Sequence, residues 1–169
     1  MKHLVFHFDV ISPFAYLAFE RLPQALEGIS HSVDYQPVLF AGLLAHWGQK
    51  GPAEIEPKRA WTFRHVWCGG ADANDPARLA ALTARLAPER DPQGDPVKQA
   101  LKSATSQAIA KGVFGVPTIE VDGRLFWGFD AVDMVAAYLG GDAWFDGPAW
   151  DAAATAPPGV HRKATSGKP

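Results

Sequence analysis

From His3 to Val10 apolar and polar positions alternate, with Leu4, Phe6, Phe8 and Val10 on one side and His3, Val5, His7 and Asp9 on the other. That period of two predicts a β-strand with one buried face. From Pro13 to about Leu26 the period lengthens, and Phe14, Leu17, Ala18, Leu22 and Leu26 recur at helical spacing. Pro23 falls inside this helix and predicts a kink or an early end near Leu22. After Gly28, Ser32–Leu39 reads as a second strand, with Pro37 marking an edge or a strand end. Ala41–Lys58 is a loop around a short helical piece near Leu43–Trp47, and the aromatic-rich Arg59–Cys68 reads as a helix ended by Gly69-Gly70.

Asp75-Pro76 and Asp95-Pro96 each open a further helix. The first carries the stripe Leu79, Leu82 and Leu86 and stops at Pro88. The second places Val97, Ala100, Leu101, Ala104, Ala108 and Ile109 on one face and closes at Lys111-Gly112, a cation followed by a C′ glycine. The period then returns to two. Thr118–Val121 and Arg124–Trp127 predict paired strands around an Asp122-Gly123 hairpin turn, and Asp130 can cap a last helix over Val132–Leu139. The order β-α-β, helices, β-β-α implies an α/β sandwich that begins with a parallel crossover and ends in an antiparallel hairpin.

Composition narrows the function without choosing it. The chain has 169 residues, 47% hydrophobic and 20% charged, as for one globular domain or one domain with an insertion. A net charge of -2 gives no reason to expect nucleic acid or an anionic membrane. No stretch approaches the roughly 18 apolar residues of a membrane span, and the chain enters a strand at once with no signal-peptide core, so a cytoplasmic location is expected. Cys68 is the one cysteine, which rules out an internal disulfide and a Cys-x-x-Cys pair.

Candidate chemistry gathers at three places. At the first strand-to-helix junction Ser12 is a preferred N-cap and Pro13 a preferred first helical residue, so a hydroxyl and free backbone N–H groups face an anion-ready end. The second place is Gly112-Val113-Phe114-Gly115-Val116-Pro117-Thr118, entering the third strand. The third is Phe126-Trp127-Gly128-Phe129-Asp130, between the fourth strand and the last helix. His3 and His7 share a strand face without a third ligand, and His65 and Cys68 stand three apart on a helix with no further Cys or His spacing, so neither pair predicts a metal.

The motif Phe8-Asp9-x-x-Ser12-Pro13-Phe14-x-Tyr16-Leu17, together with Gly112–Thr118 and Phe126-Trp127-Gly128-x-Asp130, resembles the 2-hydroxychromene-2-carboxylate isomerase family. That family is related to kappa-class glutathione transferases and to DsbA-like proteins. The resemblance implies a thioredoxin-like fold, with residues 1–45 and 112–150 as its two halves and 46–111 as a helical insertion; by its Ala, Pro, Gly, Lys and Thr content the remainder, 151–169, reads as a tail, poorly ordered from about Pro157. The resemblance also implies glutathione as cofactor, a small aromatic substrate and Ser12 as the catalytic residue. Pro13, Phe14, Gln49, Lys50, Lys58, Val116, Pro117, Gly128, Phe129 and Asp130 are then the glutathione-binding residues, with Val116-Pro117 as a cis-proline site and Phe129 acting through its backbone.

Ser12 and Ala15 stand where the resemblance to DsbA-like oxidoreductases would put two cysteines, so disulfide exchange has no thiolate of the protein to use. A serine can instead donate a hydrogen bond to a bound sulfur. Lowering a thiol pKa from about 8.5 by one to two units takes roughly 1.4–2.7 kcal/mol, the size of one charge-assisted hydrogen bond plus a helix N-terminus. Three functions fit: an isomerase in aromatic degradation, a glutathione transferase, and a glutathione-binding protein without catalysis. Ala60-Trp61-Thr62 runs almost directly into Phe63, so the insertion is shorter than the resemblance would require. Apolar surface left uncovered there favours either self-association as a homodimer or instability.

Overall fold

The computed structural model describes residues 1–48 and 75–155. Within them four strands form one sheet in the order β2-β1-β3-β4. Strand β1 (Lys2–Phe8) leads into helix α1 (Pro13–Ala25), which returns to β2 (His31–Pro37). The two strands are parallel, with Phe6 opposite Tyr35. Helix α2 (Phe40–Trp47) follows at once. Helices α3 (Pro76–Leu86) and α4 (Asp95–Ala110) precede the hairpin of β3 (Thr118–Val121) and β4 (Arg124–Trp127). Helix α5 (Ala131–Leu139), a 3-10 turn at Ala143–Asp146 and helix α6 (Pro148–Thr155) complete the described chain. This is the α/β architecture expected, a β-α-β unit and a β-β-α unit joined side by side, with β1 antiparallel to β3.

Two apolar layers cover the sheet. On one face Leu4 and Phe6 of β1 meet Ala18 and Leu22 of α1, Ile119 and Val121 of β3, and Val132 and Val135 of α5. On the other, Val38, Leu43 of α2, Ala108 of α4, Val113 and Val116 form a smaller cluster. Helix α2 approaches α4 closely because Gly42 has no side chain: a Cβ there would sit 3.2 Å from Thr105 Cγ2. Among the described residues no helix is long and apolar enough to cross a membrane.

Several local expectations are corrected. Helix α1 does not stop near Leu22 but runs to Ala25 with Pro23 inside its last turns, where the loss of one intrahelical N–H is tolerated. Val10 leaves the apolar face, because β1 ends at Phe8, and it is 79% exposed. Helix α4 is capped by Gly94, with Asp95 already in its first turn. Its buried face centres on Thr105 and Ala108, while Ala100 is exposed. Residues 151–155, expected in the tail, belong to α6, because Trp150 packs against Phe145 with ring centroids 5.3 Å apart. The Arg59–Cys68 helix, with Trp61, Phe63, His65 and Cys68, lies outside the described residues, as does the tail from residue 156.

Candidate active site at the N-terminus of helix α1

The turn between β1 and α1 is built by Asp9. Its Oδ1 accepts from the Ile11 N–H at 3.1 Å, the short-range turn that Asp side chains favour. Its Oδ2 accepts from the Phe40 N–H at 2.9 Å, tying the turn to the start of α2. Its carbonyl accepts from the Ser12 N–H at 3.0 Å. Asp9 thus holds Ser12 from two directions. The sequence reading gave it no role, although an Asp two residues before an apolar turn residue is a recognisable turn signal.

Ser12 is 3% exposed and occupies the N-cap of α1 in extended conformation, with Pro13 following. Its Oγ accepts from the Ala15 N–H at 3.3 Å and donates to the Val116 carbonyl at 3.3 Å. The first turn of α1 holds no acidic side chain, so the positive end of the helix is not neutralised locally. The Val116–Pro117 bond is cis, as the resemblance implied. Among the described residues the Val116 amide donates no hydrogen bond.

The third motif joins the other two through backbone. The Gly128 N–H donates to the Pro117 carbonyl at 2.9 Å. Gly128 has φ +108, and a Cβ on it would overlap Asp130 Oδ1. The Asp130 carboxylate therefore folds back over Gly128. Asp130 stands at the N-cap of α5 but makes no side-chain cap hydrogen bond, so the capping role expected for it is not observed. Its carboxylate is exposed beside the cis-proline loop. At Gly115 a Cβ would come within 2.5 Å of Trp127 Nε1, so a larger residue there would displace the indole. The indole lies on the loop backbone and packs on Phe114 at 4.8 Å between centroids.

Ser12, Pro13, Val116, Pro117, Gly128 and Asp130 are thus brought together. Phe14 is half-buried and Phe129 exposed beside them. Gln49, Lys50 and Lys58 lie outside the described residues. Under this loop, on the α4 side of the sheet, His7 pairs with Thr118 in register and reaches Glu120 with Nε2 to Oε2 at 3.1 Å. Lys111 holds the same carboxylate at 2.8 Å. Burial pushes the His7 pKa below the ordinary value, against the opposing pull of Glu120. Burial would raise Glu120, but its hydrogen bonds to Lys111 and His7 prevail and hold it below the usual range. An ionised carboxylate only accepts, so His7 carries its hydrogen on Nε2, and Nδ1 is a bare, buried nitrogen without a hydrogen-bond partner among the described residues.

A strand-to-helix junction facing a cis-proline loop, on a sheet of this order, is an arrangement that can be compared with known folds. Residues 59–140 match the family model of the DSBA-like thioredoxin domain. The chain has a thioredoxin-like fold of the DsbA-like kind. A 2-hydroxychromene-2-carboxylate isomerase of Sphingobium xenophagum is 24% identical, and the alignment covers 82% of this chain and 98% of that protein. It runs over 191 residues, whereas 82% of this 169-residue chain is about 139, so some fifty positions of the relative face gaps. Among solved structures, a 2-hydroxychromene-2-carboxylate isomerase matches with a TM-score of 0.63 at 20% identity, over 82% of this chain and 94% of that one. A probable DsbA oxidoreductase from Streptomyces coelicolor matches with a TM-score of 0.52 at 12% identity, over 84% and 91%. Ser12 occupies the N-cap of α1 and Ala15 its first turn, so neither position offers a thiol.

Proposed function

We propose that the chain is a glutathione-dependent isomerase of the 2-hydroxychromene-2-carboxylate type, giving trans-o-hydroxybenzylidenepyruvate as product. The observation that carries this reading is the Ser12 Oγ contact with the Val116 carbonyl at 3.3 Å. It puts a hydroxyl, a helix N-terminus and an extended backbone segment at one point. Similarity to the Sphingobium isomerase over most of the chain supports an isomerase reading.

The donor set fits a thiol-bearing peptide. The Val116 N–H and C=O can pair with an extended ligand as an added strand does. Asp130 offers a carboxylate to an ammonium group, as its exposed position and lack of a cap bond allow. Glutathione bound there supplies a thiolate sulfur, a nucleophile that can also leave. Ser12 holds that negative charge by donating its O–H, helped by the unneutralised N-terminus of α1. The hydroxyl gives up little in turning to a ligand, since 3.3 Å is longer than the roughly 2.5–3.0 Å of a good O–H···O bond. Its N-cap bond from the Ala15 N–H survives that rotation, because the oxygen accepts there while its hydrogen moves.

Following the absorbance of 2-hydroxychromene-2-carboxylate with and without glutathione tests the reading. Turnover that needs glutathione and returns it unconsumed is expected. Absence of turnover defeats the proposal, and stoichiometric loss of the thiol would make the protein a transferase. Ser12→Ala is expected to lower kcat by about 10–100-fold, the worth of one hydrogen bond to a charged group, with glutathione affinity changed by less than about threefold. Equal loss in both quantities would remove the activating role of Ser12.

A further inference from the structure

A second feature lies on the opposite flank of β1 from Val116. Between α1 and the β1–β2 edge there is a cleft of about 400 Å³, walled by Phe8, Tyr16, Phe19 and Tyr35 and floored by Ala15. We propose that this cleft binds a neutral, hydroxylated two-ring arene.

Size, ring geometry and charge each point there. An apolar cavity of roughly 150 Å³ already admits benzene, so two fused rings fit in this volume. The wall rings are arranged edge to face, Phe19 to Tyr35 at 5.5 Å and 61°, and Phe6 to Tyr35 at 5.8 Å and 64°. A flat guest extends that pattern, which aromatic rings prefer to sandwich stacking. Tyr16, Phe19 and Tyr35 nevertheless remain about half exposed, an apolar cluster of the kind that marks a binding surface. Among the described residues no lysine, arginine or histidine lines the cleft, and the one charged group there is Asp9. Each Asp9 oxygen already accepts one backbone N–H but keeps a further lone pair. It can therefore accept from a hydroxyl and repels a carboxylate. Among the described residues the cleft takes Asp9, Val10 and Ala15 from around the Ser12 cap, but neither Ser12 itself nor any lining residue from β3 or the Gly128–Asp130 segment. The proposal stands apart from the thiol reading.

Titration of the full chain with 2-naphthol and with 2-naphthoate, followed by ligand fluorescence without glutathione, tests it. Saturable binding is expected, with 2-naphthol at least about tenfold tighter because like charges oppose the acid. Phe19→Ala should weaken 2-naphthol about fivefold by removing one aromatic contact, whereas Trp144→Ala, an exposed aromatic elsewhere, should not. Val10→Lys, at an exposed rim position, should tighten 2-naphthoate and narrow the preference. Unsaturable binding, equal affinity for the two ligands, or equal effects of the Phe19 and Trp144 substitutions would overturn the proposal. Glutathione affinity, measured on the Phe19 and Trp144 variants, should not change, which separates failure of the cleft from failure of the thiol site.

Discussion

At the scale of single residues, the site depends on where a Cβ is absent as much as on where a hydroxyl is present. Ser12 was legible as an N-cap because capping is a local rule, and the structure keeps that bond. Its second bond, to a carbonyl 104 positions away, carries no local signal. Gly128 shows the same division. The motif marked it, but only the fold shows that its φ of +108 turns the chain so that Asp130 folds over it. Gly128→Ala is expected to lower unfolding free energy by about 1–3 kcal/mol, the usual cost of holding a side chain in that region, as measured by urea titration. A change within experimental error would mean that the loop relaxes freely.

At the scale of elements, the strands and helices followed periodicity well, and the hairpin at Asp122-Gly123 falls where its turn residues put it, with φ +49 and +76. The packing partners did not follow. Thr105 sits among the alanines of α4, where a threonine breaks an apolar stripe. Yet it is buried, donating to the Leu101 carbonyl and accepting from the Leu39 N–H at 2.8 Å. That bond seats the start of α2 on α4, close to the turn that presents Ser12. Thr105→Val keeps the shape and removes the acceptor, leaving a partly buried N–H unpaired. A loss of about 1–3 kcal/mol is expected, with Thr105→Ser restoring most of it. Equal midpoints for the valine and serine variants in denaturant would show that the bond contributes nothing.

At the scale of the whole molecule, His7, Glu120 and Lys111 tie β1, β3 and the end of α4 into one polar chain beneath the cis-proline loop, running from buried His7 to half-exposed Lys111. The pH response follows from the signs. The His7 pKa is lowered on folding, so the unfolded chain binds its proton more readily. Stability from neutral, buried His7 is then complete above about pH 6.5, the ordinary histidine value, and is lost as pH falls through it. Glu120, also lowered, adds a further loss below its ordinary range of about pH 4.3. Urea titrations between pH 7.5 and 5.5 should show stability declining by at most about 1.4 kcal/mol per pH unit from this group, and His7→Gln should flatten the decline. An unchanged slope in the variant would place the acid sensitivity elsewhere. His7 also marks the boundary between what the chain spells out and what folding adds. Periodicity put it opposite Leu4 and Phe6, and capping and turn chemistry placed α1, the hairpin and the Ser12-Pro13 junction, since those signals act over a few residues. Periodicity names the faces of a strand without saying what covers them. That His7 is 3% exposed, that Ser12 faces Val116, and that Trp127 lies on Gly115 were decided only when β3, β4 and α4 closed over β1. Those contacts join atoms distant along the chain, and only packing brings them within reach.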